Sequence, residues 1–198
     1  LAGFLLLVLS RGRMPRNIAS LIGAGSVGLS FLLAAAICIE FLSGDGESFQ
    51  KTLWVWMQVG SLEPGFSFYL DGLSVVMILI ISGVGFLIHL YSTGFMADDP
   101  GFARFFSYMN LFVASMLVLV LADNLVLLYL GWEGVGLCSY LLIGFWYDKP
   151  SNGYAARKAF VVTRVGDTSM AIGLFLLFSQ LGTLNIQEIL TLAPTQWN

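Results

Sequence analysis

Three charged side chains lie deep in apolar sequence: Glu133, Arg164 and Asp167. Glu133 is the only charge in LYLGWEGVGLCSYLLIGFW, residues 128–146, while Arg164 and Asp167 stand close together in VVTRVGDTS. A charge at the centre of a membrane helix costs about 2.5–3.5 kcal/mol on insertion scales, so such residues face a bundle interior or a wet cavity and mark ion or proton paths. Arg164 and Asp167 are spaced i, i+3 and share one helix face. They read either as a pair that neutralises itself or as a source of field for a third charge. Glu133 has no basic residue three or four positions away, where Tyr129, Leu130, Gly136 and Leu137 stand. Burial favours the protonated form of a carboxyl and a nearby cation favours the ionised form. A carboxyl balanced between the two loads and releases a proton as its neighbour's charge changes. The alternative is a permanently protonated Glu that donates to a carbonyl.

The elements that position these groups follow from composition. Hydrophobic types make up 58% of the 198 residues and charged types 11%, against about 25% charged in a soluble domain. Lipid is therefore the expected solvent for most of the surface. The fold class is an all-α polytopic membrane protein, a bundle of about six transmembrane helices with a small external β-hairpin, in one membrane domain. A span needs about 20 mostly apolar residues. Residues 18–42, 71–92, 103–122, 124–146 and 156–181 qualify. Residues 1–10 read as a partial span whose start lies outside this sequence. Residues 52–70 are rich in β-branched and aromatic types, with Pro64-Gly65 as the turn signal, and Trp54, Trp56 and Tyr69 suit an interfacial belt. Asp71 and Asp123 precede apolar runs and are the expected N-caps. Residues 185–194 suit a short amphipathic interfacial helix.

Depth and orientation follow. The last two spans are consecutive and antiparallel. Glu133 lies roughly 20 Å from their common end and Asp167 roughly 17 Å, at 1.5 Å per residue. The two carboxylates thus share a level. Of nine basic residues, seven (Arg11, Arg13, Arg16, Arg104, Lys149, Arg157 and Lys158) fall in alternate loops, Lys51 falls in an opposite one, and Arg164 lies within a span. This bias puts the seven inside, and the hairpin and both chain ends outside. Gly131, Gly134, Gly136 and Gly144, with Ser139, serve close helix packing or leave room for water beside Glu133. His89 lies near the inner end of its span and reads as an interfacial polar tip or as a candidate relay, because histidine titrates near neutral pH. Asp98 and Asp99 are expected to be solvated in a loop. Cys38 and Cys138 read as unrelated buried thiols.

Other chemistries lack their residues. No phosphate-binding glycine loop, HExxH or nucleophile elbow occurs. One histidine and two isolated cysteines do not build a haem or iron–sulfur site. No basic tail or stripe points to nucleic acid.

The blocks LVLADNLVLLYLGWEGVGLCSYLLIGFW and KAFVVTRVGD, with LSRGR, LDGLS and GVGFLIHLY, resemble the antiporter-like membrane subunits of bacterial NADH:quinone oxidoreductase, respiratory complex I, and the GWEGVGLCSY form is similar to the L-type members. The resemblance spans essentially the whole chain. It implies a subunit that moves protons while NADH is oxidised by quinone elsewhere in the complex. No cofactor is expected in this chain, with NADH, FMN, iron–sulfur clusters and quinone in other subunits. It implies a multi-pass protein of the bacterial inner membrane, with both ends periplasmic, whose partners are other complex I membrane subunits, especially a neighbouring antiporter-like one, and the lipid bilayer. It maps the family's key glutamate to Glu133 and its arginine and aspartate to Arg164 and Asp167. The glutamate's usual lysine partner lies on a helix outside this sequence. A subunit of a free-standing Na⁺/H⁺ antiporter and a membrane scaffold without transport are the alternatives.

Overall fold

The structure, a computed structural model, describes all residues except Arg11, Asp45, Ser61, Trp197 and Asn198. The chain runs α1 (Ala2–Leu9), α2 (Arg16–Ser43), β1 (Phe49–Val55), β2 (Gly65–Leu70), α3 (Gly72–Phe95), α4 (Phe102–Leu121), α5 (Leu125–Ile143), α6 (Pro150–Leu181) and α7 (Ile186–Gln196). Helices α2 to α6 are long and apolar enough to cross a membrane. Helix α4 packs against α1, α2, α3 and α5, and α6 packs on α5. Many large apolar side chains face outward, Leu21, Leu33, Leu87 and Phe175 among them, as lipid or further protein requires.

The caps explain the helix starts. Asp71 caps α3 in a reciprocal box: Ser74 N donates to Asp71 Oδ1 at 2.8 Å and Asp71 N donates to Ser74 Oγ at 2.7 Å. Before α5 the cap is Asn124, not Asp123: Leu127 N donates to Asn124 Oδ1 at 2.9 Å. Asp123 faces another way, accepting from Gln50 and Asn185. Helix α5 ends at Ile143, short of Trp146, with Gly144 as its C-cap. Helix α6 begins at Pro150, six residues before the apolar run at 156. Proline suits the first helical position because its missing N–H has no intrahelical partner there. Gly182, at φ +72°, closes α6 and donates to Phe178 O at 2.8 Å.

The hairpin pairs Phe49 with Leu70 through to Val55 with Gly65, with an irregularity between Thr52 and Trp54. Its tip differs from the expectation. Val59 and Leu62 exchange backbone hydrogen bonds and Gly60 adopts φ +62°, so the chain reverses there. Pro64 and Gly65 lead into β2, and Trp56 N donates to Pro64 O at 3.1 Å. Trp54 and Trp56 are exposed, and Trp54 stacks on Phe66 with ring centroids 4.7 Å apart.

The two ends of the bundle are tied differently. At one end Arg16 donates to Ala97 O and Arg104 to Phe145 O (3.1 Å). Asp99, expected to be solvated, accepts there from Trp146 Nε1 and Gly101 N. The buried side chains Leu7, Ala19, Met96, Phe102, Phe106 and Phe145 cluster at this end. At the other end the hairpin, the α4–α5 link and the α6–α7 link are joined by backbone bonds from Asp123 N to Ser67 O, Leu125 N to Leu184 O and Ile186 N to Asp123 O. Between the ends, Asn110 on α4 donates to Gly23 O on α2 at 3.1 Å and accepts from Ser26 Oγ at 2.7 Å.

Glycine sets the α4–α5 approach. A Cβ on Gly131 would lie 2.7 Å from Leu119 N and 2.8 Å from Leu119 Cα, and one on Gly134 would lie 2.6 Å from Ser115 Oγ. Backbone cannot yield as a flexible side-chain tip does. We expect Gly131→Ala to destabilise the full-length protein by about 1–3 kcal/mol through overpacking. Gly153→Ala, with nothing within 4 Å of its Cβ, should be neutral or stabilising by about 0.5–1 kcal/mol. Thermal unfolding of the detergent-solubilised variants checks both; equal melting temperatures would refute the packing account.

Candidate functional site

Helices α5 and α6 run antiparallel and bring the three sequence-selected charges together. Buried Leu127, Gly131 and Cys138 turn one side of α5 toward α4, which leaves Glu133 on the side that meets α6. Only Ala156, Asp167 and Leu181 are buried along the 32 residues of α6. Asp167 is therefore held by packing while its neighbours on α6 face outward.

Arg164 connects both carboxylates. Its Nη1 pairs with Glu133 Oε2 across the helix interface, and its Nε lies 3.4 Å from Asp167 Oδ2 on its own helix. The Glu133 and Arg164 side chains are each 27% exposed, and the Asp167 side chain 7%. The shared level of Glu133 and Asp167 expected from residue counting is thus realised by one guanidinium that reaches both. Arg164 Cζ also lies 4.4 Å from the centre of the Phe160 ring, a geometry that attracts a cation to the ring face.

Three further residues shape the cluster. Trp132 Nε1 donates to Asp167 Oδ1 at 2.7 Å, and Tyr129 OH donates to Asp167 O at 3.3 Å. Gly136 gives the guanidinium its space, because a Cβ there would collide with Arg164 Nη2. Sequence reading assigned the glycines to packing or to water; Gly131 and Gly134 serve packing, and Gly136 makes room for a charge. The positions of Tyr129, Trp132 and Gly136 beside Glu133 were visible, but not which α6 group each would meet. The hydroxyls of Thr163, Thr168 and Ser169 bond back to α6 carbonyls at Phe160, Arg164 and Val165. They satisfy their own helix rather than joining the cluster.

His89 is elsewhere. It is 0% exposed on α3, not an interfacial tip. Its Nδ1 lies 2.7 Å from Gly85 O; a carbonyl only accepts, so Nδ1 carries hydrogen in the neutral ring. Nε2 is buried without a hydrogen-bond partner among the described residues, and the ring packs near Phe106 at 5.9 Å. No hydrogen bond or ion pair links it to Glu133 among the described residues. Cys38 and Cys138 are free thiols, half-buried and buried.

Comparison with known proteins bears on the family and the fold. The model described as NADH-Ubiquinone oxidoreductase (complex I), chain 5 N-terminus, matches residues 56–106. The model described as NADH:quinone oxidoreductase/Mrp antiporter, TM, matches residues 122–198 and so contains the whole charge cluster. NADH-quinone oxidoreductase subunit L of Escherichia coli is 55% identical over 197 residues, aligned with 100% of this chain and 32% of its own length. The subunit L of Pseudomonas aeruginosa is 58% identical over 199 residues, again with 100% and 32% covered. The chain therefore spans about a third of the length of these relatives. Among solved structures, the Mrp complex from Dietzia sp. matches with a TM-score of 0.77 at 27% identity, covering 94% of this chain and 20% of that one. The membrane-bound sulfane sulfur reductase, an archaeal respiratory membrane complex, shares the fold with a TM-score of 0.73 at 23% identity, over 96% of this chain and 28% of that one. Identity along the entire chain, two matching family models and a shared helical fold lead to one conclusion: the chain belongs to the antiporter-like family of membrane subunits found in NADH:quinone oxidoreductase and Mrp antiporters.

Proposed function

We propose that this chain supplies part of a proton-translocating membrane subunit of NADH:quinone oxidoreductase, with Glu133 as the carboxylate that loads and releases the proton. The observation that carries this reading is the single Arg164 guanidinium held between Glu133 and Asp167. If Arg164 moves toward Asp167, Glu133 loses its cation and binds a proton; if it returns, Glu133 gives the proton up. The energy required is modest. Moving one charge across 100 mV takes about 2.3 kcal/mol, under two pKa units at about 1.36 kcal/mol each. Oxidation of NADH by quinone, with FMN and iron–sulfur clusters, belongs to other subunits in this reading, and this chain moves charge.

The setting follows from the same reading. The subunit crosses the bacterial inner membrane with the Arg16–Arg104–Lys149 end in the cytoplasm, where positive residues accumulate, and with the hairpin in the periplasm. Its partners are other membrane subunits of the complex, the neighbouring antiporter-like subunit above all. His89, whose Nε2 has no hydrogen-bond partner among the described residues, is in this reading a candidate relay within the α3–α4 packing rather than a partner of Glu133.

In the complete complex reconstituted into vesicles, Glu133→Gln should abolish the proton translocation due to this subunit while NADH oxidation and assembly persist. Asp167→Asn should lower it, and His89→Gln should lower it less than Glu133→Gln. Unchanged protons per NADH in Glu133→Gln would leave a scaffold role instead. The Mrp likeness supports a second reading, Na⁺/H⁺ exchange, for which pumping would stop in sodium-free medium; under the proton reading it continues.

Trp132→Phe removes the N–H that serves Asp167 and should cost about 1–3 kcal/mol by leaving a buried acceptor unpaired. In an Asp167→Ala background that penalty should vanish, as coupled neighbours require. Thermal unfolding of the four proteins of this cycle measures it, and additive effects would disprove the coupling.

A further inference from the structure

The end of the bundle opposite the hairpin holds a cavity that the charge cluster does not use. Its volume is about 830 Å³, and it lies where α1 ends, α2 and α4 begin and the α5–α6 link passes. Sites for small molecules run from roughly 300 to 1,000 Å³. Four charged side chains line it, two of each sign: Arg16, Arg104, Asp99 and Asp148. None of the four forms an ion pair with another among the described residues, where both ion pairs belong to Arg164.

Each of the four keeps capacity for a ligand. Arg16 is exposed and anchored by bonds to Ala97 O and Asp99 O. Arg104 donates from Nη2 to Phe145 O, and its Cζ lies 4.6 Å from the centre of the Phe145 ring and 5.0 Å from that of Tyr147. Its Nε is buried, but its Nη1 is not shut off from solvent and forms no hydrogen bond among the described residues. A guanidinium has five N–H donors, so donors remain on both arginines. Asp99 accepts once on each oxygen, from Gly101 N and Trp146 Nε1, and an ionised carboxylate has about four acceptor sites. Asp148 is exposed and forms no hydrogen bond among the described residues.

The remaining walls are those of a membrane interface. Val8 of α1 lines the cavity and is exposed, as is Leu5 one turn back on the same helix face. An apolar track therefore leads from the charged mouth along the span. Trp146 and Tyr147 also line the cavity and are exposed, and these types gather at the headgroup level of a bilayer. A lone anion would leave both acids unanswered, a lone cation both arginines, and neither would use the track.

We propose that this cavity seats one phospholipid whose headgroup joins a phosphate to a primary ammonium, the ethanolamine class. The phosphate takes Arg16 and Arg104, the ammonium takes Asp148 and Asp99, and an acyl chain lies along Val8 and Leu5. Arginine suits the phosphate because its planar fork bonds two oxygens at once. A primary ammonium has three N–H donors for the carboxylates; a quaternary choline has none, and a headgroup without an amine brings them no charge. The seat does not depend on the proton translocation proposed above.

The test uses the complete complex in phosphatidylglycerol vesicles that contain a trace of phosphatidylethanolamine with a photoreactive acyl chain. After illumination, labelled peptides are mapped by mass spectrometry. Labelling should concentrate on α1 around Leu5 and Val8. Unlabelled phosphatidylethanolamine should compete; phosphatidylcholine should not, and neither should free phosphoethanolamine, which has the charges without the chains. At sub-saturating lipid, Arg104→Gln should lower the labelling about tenfold, as loss of one charge-assisted contact predicts. Asp148→Asn breaks no hydrogen bond among the described residues, so it should assemble even if Arg104→Gln does not, and it should cut the preference for phosphatidylethanolamine over phosphatidylcholine. Labelling spread evenly over the lipid-facing helices, equal competition by phosphatidylcholine or by free phosphoethanolamine in the wild type, or an unchanged preference in Asp148→Asn overturns the proposal.

Discussion

One guanidinium divided between two carboxylates is the constraint around which α5 and α6 are arranged. With all three groups ionised, Glu133, Arg164 and Asp167 sum to a net charge of −1. The unequal trio keeps one charge uncancelled in surroundings where uncompensated charge is costly. The pairing also explains why the cluster crosses helices. Arg164 and Asp167 alone would neutralise each other along α6, and the third charge has to come from α5.

Placing that third charge depends on side chains that are missing. Gly131 and Gly134 let α5 press on α4, which fixes the rotation of α5 and turns Glu133 toward α6. Gly136, one turn along, opens the space into which Arg164 reaches. In lipid no hydrophobic force draws helices together, so close backbone contact and polar bonds take over its work. Trp132 belongs to the same economy of positions: its indole fastens Asp167 while Arg164 is left to mediate. Four consecutive positions of sequence, Gly131 to Gly134, thus carry packing, a donor, an acid paired with Arg164 and packing again.

Much of this was legible in the sequence, and the reasons differ between elements. Long apolar runs announce membrane helices because each needs some 20 residues of one character. Intramembrane charges stand out because they are rare, so Glu133, Arg164 and Asp167 could be chosen without a structure. Counting residues along two antiparallel helices placed the acids at one level. What counting cannot supply is rotation, and so the meeting of Glu133 with Arg164, the donor role of Trp132 and the vacancy provided by Gly136 emerged only in three dimensions. Adjacent residues can exchange roles for the same reason: Asn124 caps α5 while Asp123 beside it binds Gln50 and Asn185. At the hairpin, the stronger turn signal, Pro64-Gly65, lost to Gly60, because the ladder runs on to Val55 and Gly65 and leaves the reversal to residues between them. His89 and Asp99 erred in the same direction, since both looked peripheral in sequence and are engaged by side chains from distant segments.

The length of α6 has a mechanical side. Its 32 residues extend about 48 Å at 1.5 Å each, against a hydrocarbon layer of about 30 Å. Hydrophobic mismatch of that size must be absorbed by tilt or by an overhang, and the polar opening PSNGYAARK is the part suited to standing clear of the acyl chains. No proline or positive-φ glycine interrupts α6 between Pro150 and Leu181. The rod is therefore stiff from its exposed stub to Arg164, and a few degrees of tilt applied at the stub would carry Arg164 and Asp167 together relative to Glu133 on α5.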